Sequence, residues 1–202
     1  MKPEIILASS SPVRKEVMDK LRIVYRCQPG EYEEKMELTP GESFEDLAKR
    51  LALGKAREVA SKVHQAIVIA ADSFAVLNRE ILGKPQTRNQ AIEYLDRLSG
   101  RIHEFYTGMA IIDTEEEREV VDCAVAKVHF RVLTPEEIQQ YVEREEVITA
   151  AAAYRIQGLG SVLVEEVKGD YYSIVGLSPS TLTEMFKKLN RNLFDYIPEI
   201  FR

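Results

Sequence analysis

Three serines between a short apolar run and a proline, Leu7-Ala8-Ser9-Ser10-Ser11-Pro12-Val13-Arg14, are the first residues in this chain whose types and spacing could do chemistry. Residues 5–8 read as a buried strand, and Val17, Met18 and Leu21 keep helical spacing behind the proline. Ser11 suits the N-cap, and Pro12 suits the first helical position, where its missing N–H costs nothing. A strand that passes through small residues into a helix start aims unpaired backbone N–H groups and the positive end of a helix dipole at one spot. Such a spot favours an anion. Ser9 and Ser11 add hydroxyl donors, and Arg14 adds a planar fork suited to phosphate oxygens. The glycine spacing of a nucleotide loop is absent, so a capped helix with a solvated arginine is the competing reading.

Further candidates are dispersed along the chain. Asp72-Ser73 follows the continuously apolar residues 66–71, which read as a central strand covered on both faces. A carboxylate just past the end of such a strand lies where open α/β sheets place chemistry; the plainer alternative is an Asp capping a turn. Lys55 sits near the edge of the buried face of a helix, where a stem packed on the core with its ammonium in water is the ordinary outcome. Lys84 lies in the turn Gly83-Lys84-Pro85. His64, His103 and His129 have no ligand spacing, so neither a zinc site nor a histidine triad is expected. The carboxylates Glu33, Glu34 and Asp72, taken with these cations, suggest a Mg²⁺- or Mn²⁺-assisted attack on a phosphorus centre.

The elements that would position these groups follow from hydrophobic period and punctuation. Residues 25–28 predict a second short strand. Ser43 begins a capping pattern with Asp46 for a helix that runs to about residue 61. Residues 75–77 and 81–82 predict a hairpin around Asn78-Arg79. Thr87 and Thr134 open two more helices, the latter with Pro135 at N1 and Glu137 at N3. Residues 104–112 and 120–132 predict long strands flanking a solvated acidic turn at 115–117. Residues 156–160 read as a flexible segment, 161–167 and 171–175 as strands, and 180–190 as a closing helix. Helices alternate with strands at both ends around a hairpin-like middle, which predicts an α/β fold with a mixed sheet and helices on both faces.

At 202 residues, with no internal repeat or composition break, the chain predicts one domain with a sizeable core. A net charge of −6 argues against a nucleic acid polymer as partner, so any cationic site must be local. No apolar run approaches the ~18 residues of a membrane span, and no membrane association is expected. The start of the chain lacks a signal-peptide pattern, and two distant cysteines, Cys27 and Cys123, fit a reducing compartment; a cytoplasmic protein is expected.

The serine segment, Ala71-Asp72-Ser73, Gly83-Lys84-Pro85, Leu98-Ser99-Gly100-Arg101, Ala153-Tyr154-Arg155-Ile156-Gln157-Gly158 and residues 169–177 together resemble, in register, the Maf family of nucleoside triphosphate pyrophosphatases. The resemblance implies a mixed central sheet in two lobes with a cleft, related in shape to the inosine triphosphatases. It also implies a nucleoside triphosphate substrate, a divalent cation (Mg²⁺ or Mn²⁺) and, as is frequent in the family, a homodimer. Carried over by position, it implies phosphate contacts from Ser9, Ser11, Arg14, Lys55 and Lys84, with Ser73 also on the substrate. Asp72 becomes the base for water and a metal contact, Glu34 a second metal contact, and Gln157 a residue of base choice. Hydrolysis of dTTP or UTP, with other or modified nucleotides as further candidates, to a monophosphate and pyrophosphate by metal-assisted attack of water on the α-phosphate is the implied reaction. A nucleotide-binding regulator of cell division with weak or no hydrolysis is the alternative. Val13 stands where the family usually has arginine, and Ser73 where the thymidine/uridine branch has threonine.

Overall fold

A computed structural model describes residues 2–199. Strand β1 (Glu4–Leu7) is buried at its last three positions. It lies parallel to β2 (Arg26–Cys27) on one side and to the start of β3 (Ala66–Leu77) on the other, in register from Glu4 opposite Ala66 to Leu7 opposite Ile69. Successive residues of both segments are buried, so both faces of these strands are covered, which accounts for their unbroken apolar runs.

β3 does not end at Asp72, as the apolar run alone suggests. The polar pair Asp72-Ser73 interrupts the run, which resumes with the buried Phe74, Ala75, Val76 and Leu77. The second half of the strand pairs antiparallel with β4 (Glu80–Leu82) through a two-residue turn. Asn78 and Arg79 both take positive φ there, at 51° and 68°, which matches the right-handed twist of the flanking strands. Strands β5 (Ile102–Asp113), β6 (Arg118–Phe130) and β7 (Val164–Gly169) complete a mixed sheet of order β2-β1-β3-β5-β6-β7, with β4 beside β3. Helices flank it, so the fold is α/β as expected.

The chain divides into two compact units, each discontinuous in sequence. The first holds residues up to Asp72, Thr107–Ala124 and the chain from Gly176; the second holds Ser73–Tyr106 and Val125–Val175. The first unit is built on α2 (Phe44–Ala60), which starts at Ser43 with its side chain accepting from the Asp46 N–H, as the sequence predicts. Leu47, Ala48, Leu51, Ala52, Ala56 and Val59 form its buried stripe. Burying each of the two leucines contributes ~1.5–3 kcal/mol. The helix lies close on β5 because Gly108 has no side chain: a Cβ there would overlap the Ala48 carbonyl. Helix α1 (Pro12–Lys20) has Ser11 at its N-cap, yet the Ser11 side chain makes no capping bond. Helix α6 (Pro179–Lys188), capped by Ser178, closes this unit.

The second unit packs α3 (Arg88–Leu98) and α4 (Pro135–Arg144) on one core with Phe105, Phe130 and Tyr154. α4 carries the full reciprocal capping box between Thr134 and Glu137. Two expectations fail here. The first part of 161–167 belongs to a 3₁₀ turn, Leu159–Leu163, and only Val164–Gly169 is strand. Residues 171–175 are not a strand but α5 (Tyr171–Val175). The Asp170 carboxylate accepts from the Tyr172 N–H at 2.8 Å, and its carbonyl accepts from the Ser173 N–H at 3.0 Å, so a local cap outweighs the β propensity of the run.

His103 on β5 is a buried titratable group packed in this core. Its Nε2 is 2.8 Å from the Tyr154 hydroxyl, and the rings of Phe130 and Tyr154 meet it edge-on at 5.1 and 5.6 Å. Burial lowers its pKa from 6.5 to about 4. The unfolded chain therefore binds a proton that the native state refuses between those values, so this contribution to stability is present above pH 6.5 and is lost as pH falls toward 4. Replacing His103 by glutamine, which keeps a partner for Tyr154 but does not titrate, should flatten that dependence. Urea unfolding at pH 7 and 4.5 should show wild type losing ~2 kcal/mol more than H103Q. Equal losses in the two proteins would show that His103 does not set the acid limb.

Candidate functional site

The serine segment leaves β1 as the sequence predicts, but its hydrogen bonds run differently. Ser9 is buried, and its Oγ accepts from the Ser11 N–H and from Arg14 Nη1, each at 3.2 Å. Arg14 Nε donates to the Gly176 carbonyl at 2.9 Å. The guanidinium is thus held against the start of α1 rather than released into solvent. Burial pulls its pKa below the ordinary arginine value, while the nearby charges of Asp72 and Glu34 oppose that shift; arginine remains a cation throughout. Ser11 is half-buried at the same helix start.

Lys55 is where the ordinary expectation fails. Its ammonium is not in water: it bonds Asp72 Oδ1 and lies 2.7 Å from Glu34 Oε1. The side chains of Lys55 and Asp72 are 16% and 7% exposed, whereas Glu34 is 47% exposed, so one cation joins a buried carboxylate to an open one. Each member comes from a different element: Lys55 from α2, Asp72 from the middle of β3, and Glu34 from the loop between β2 and α2. Ser9, Ser11, Arg14, Glu34, Lys55 and Asp72 all belong to the first unit.

Ser73, Lys84 and Gln157 belong to the second unit. Ser73 is half-buried in β3; Lys84 and Gln157 are exposed. The Ala152 N–H donates to the Gly83 carbonyl at 3.0 Å, which ties the Lys84 turn to the segment leading to Gln157. Ala152 and Ala153 both hold left-handed backbone, at φ 53° and 65°, a strain that alanine tolerates only when its surroundings impose it. Tyr154 follows, anchored on His103, and the Arg155 N–H donates to the Tyr141 hydroxyl at 3.3 Å. These contacts hold the chain that enters residues 156–160; the segment itself is a turn, with the Gly158 N–H donating to the Arg155 carbonyl at 3.4 Å, that runs into the 3₁₀ turn Leu159–Leu163.

Sequence reasoning missed several contributors. Gly176, which holds Arg14 from 162 residues away, has no sequence signal as an acceptor. Tyr32, Arg50 and Glu58, which fasten the Glu34 loop to α2, carry no sequence signal of their own for that role. One signal was present: Gly54 interrupts a helical pattern, and an isolated glycine there commonly marks close packing.

A half-buried arginine fork, serine hydroxyls at a helix start and a lysine joining two carboxylates are groups that can take an anion beside acid, the chemistry that suits phosphoanhydrides. The chain belongs to the Maf family: the family model described as Maf-like protein matches residues 4–189. A dTTP/UTP pyrophosphatase of Clostridioides difficile (strain 630) is 41% identical over 191 residues, covering 94% of this chain and 97% of that protein. A protein of the same name from Syntrophomonas wolfei subsp. wolfei is 38% identical over 187 residues, covering 93% and 98%. Among solved structures, a HAM1 protein from Coxiella burnetii aligns with a TM-score of 0.38 at 20% identity, over 63% of this chain and 73% of that one, too distant to bear on the site.

Removing the cation should leave the buried Asp72 carboxylate without its partner. Lys55→Met is expected to cost ~2–4 kcal/mol of stability at pH 7, and Lys55→Met with Asp72→Asn less than that. Denaturant titration of the three proteins measures both quantities. A Lys55→Met variant within ~0.5 kcal/mol of wild type would show that solvent, not Lys55, compensates Asp72.

Proposed function

We propose that this chain is a nucleoside triphosphate pyrophosphatase that acts on dTTP and UTP, releasing the nucleoside monophosphate and pyrophosphate. The observation that carries the reading is the Lys55 ammonium between Asp72 and Glu34, beside Arg14 and Ser9, in a chain related over more than nine-tenths of its length to proteins of that name. The rival, a regulator that binds nucleotide without hydrolysis, gains no support from relatives that bear the name of a hydrolase.

In this reading Arg14, Ser9 and Ser11 hold phosphate oxygens at the start of α1, and Lys55 and Lys84 add charge to the distal phosphates. The Asp72 carboxylate takes a proton from water as the water oxygen bonds to the α-phosphorus, and the α–β anhydride bond breaks toward pyrophosphate. Gln157 and Ser73 contact the nucleoside end. Among the described residues no group of three His, Cys, Asp or Glu side chains is placed to hold a metal ion, so the protein alone supplies no full cage for a cation. Two carboxylates that converge on one ammonium do suit Mg²⁺ or Mn²⁺, which binds through one or two carboxylates with water and phosphate oxygens completing the shell. Glu34 and Asp72 would hold it, and it would neutralise charge on the phosphates. Among the described residues no helix is long and apolar enough to cross a membrane. A cytoplasmic homodimer with both cysteines reduced completes the reading.

Incubation with each nucleoside triphosphate and Mg²⁺ or Mn²⁺ should give monophosphate and pyrophosphate from dTTP and UTP, with ¹⁸O from water entering the monophosphate. Asp72→Asn should lose ~10²–10⁴ in rate while remaining folded. Stepwise release of orthophosphate, or an Asp72→Asn variant within threefold of wild type, refutes the reaction or its base.

A uracil-type edge presents an N–H between two carbonyls, and a glutamine amide can accept from the one and donate to the other, whereas a carboxylate can only accept. Gln157→Glu should therefore lower kcat/KM for dTTP by ~10–100-fold and spare GTP. Equal losses on both nucleotides would assign Gln157 to the turn alone.

A further inference from the structure

Glu34 lies on an irregular acidic loop, residues 28–43, that also carries Glu31, Glu33 and Glu37. Like charges so close together do not hold a loop in place, yet Glu34 meets Lys55 at 2.7 Å. The fastening comes from one stripe of α2. Arg50, Gly54 and Glu58 are spaced four apart and so lie in line along the helix. Arg50 donates to the carbonyls of Lys35 at 3.3 Å and Glu37 at 3.0 Å, and pairs with Glu42 at 2.7 Å. Glu58 accepts from the Glu31 N–H at 3.0 Å. Between these two clasps stands Gly54, and the ring of Tyr32 occupies the space that a side chain would fill: a Cβ at Gly54 would overlap it.

We propose that Tyr32, seated in the notch at Gly54, is a positioning residue that sets Glu34 against Lys55 for nucleotide and cation binding; this rests on the role given above to Glu34. Two observations carry it. Glycine is the poorest helix former after proline, and here it stands mid-helix, one residue before the lysine that Glu34 contacts. Tyr32 is two residues before Glu34 and is half-buried, whereas the residues on either side of it are exposed. The notch thus converts a backbone clasped at Glu31 and at Lys35 into one whose middle has a single height above the helix. Alanine at position 54 lifts the ring and with it Glu34, although alanine is the better helix residue and no clasp is removed.

Three variants, Gly54→Ala, Tyr32→Ala and Glu34→Gln, and the double variant Gly54→Ala with Glu34→Gln test this. Calorimetry with Mn²⁺ and a non-hydrolysable α,β-imido dTTP reads binding, and steady-state kinetics reads KM and kcat. Amide exchange at Glu31 reads docking of the loop, and thermal unfolding reads the fold. Gly54→Ala should weaken Mn²⁺–nucleotide binding and lower kcat/KM by ~10–100-fold, speed exchange at Glu31, and leave the unfolding midpoint equal or raised. Tyr32→Ala should act in the same direction and keeps the test open should Gly54→Ala misfold. The double variant should be no worse than Glu34→Gln, because the notch acts through Glu34. A defective Glu34→Gln alongside wild-type-like Gly54→Ala and Tyr32→Ala overturns the positioning role and leaves the role of Glu34 standing. Multiplying defects in the double variant also overturn it. A wild-type-like Glu34→Gln removes the role of Glu34 and the proposal together.

Discussion

The Lys55 ammonium is the constraint on which the rest of the first unit turns. A carboxylate as buried as Asp72 is costly unless a cation stays beside it, and the cation must reach it from another element. That requirement fixes how closely α2 approaches β3 and β5, and Gly108 is the concession that lets the helix backbone lie directly on the sheet. The same ammonium also meets Glu34, so a group that compensates charge in the core reaches the loop between β2 and α2 as well. Lys55 and its two carboxylates hold one another in place, and fixed charges of this kind are what the proposed phosphoryl chemistry requires.

α2 therefore works on two sides. Its apolar stripe anchors the unit, and the stripe of Arg50, Gly54 and Glu58 carries the loop with Glu34. Lys55 falls within the apolar stripe itself, four residues after Leu51 and four before Val59, so its stem packs among core side chains while its charge meets Asp72 and Glu34. The serine segment uses a related economy. The Ser9 hydroxyl accepts both from the Ser11 backbone and from Arg14, so one buried side chain orients the turn and the guanidinium together.

The second unit relies on strain held by packing. Two successive alanines in left-handed conformation are unfavourable, and they persist because the Ala152 N–H is claimed by Gly83 and the following Tyr154 is locked on His103. The histidine is kept neutral by burial in an aromatic cluster, a choice that couples the stability of this segment to acid.

Much of the architecture was legible in the chain itself. Caps at Ser43, Thr87 and Thr134, the Asn78-Arg79 turn and the apolar runs of β1 and β3 are signals that act within a few residues, where local sterics and hydrogen bonding decide. The family motifs likewise sit in short contiguous stretches, so Ser9, Arg14 and Asp72 stand out as candidates in the chain itself. Residues 171–175 show the limit of that reasoning: their β propensity was real, but the Asp170 cap was the stronger local term. What tertiary structure alone decided was which groups meet. Lys55, Glu34 and Asp72 lie on three elements, Arg14 is held by Gly176 from the far end of the chain, and Tyr32 fills the space left by Gly54. Such contacts depend on how helices and strands are packed, and a periodicity that tells which face of α2 is buried carries no information about what settles on the other.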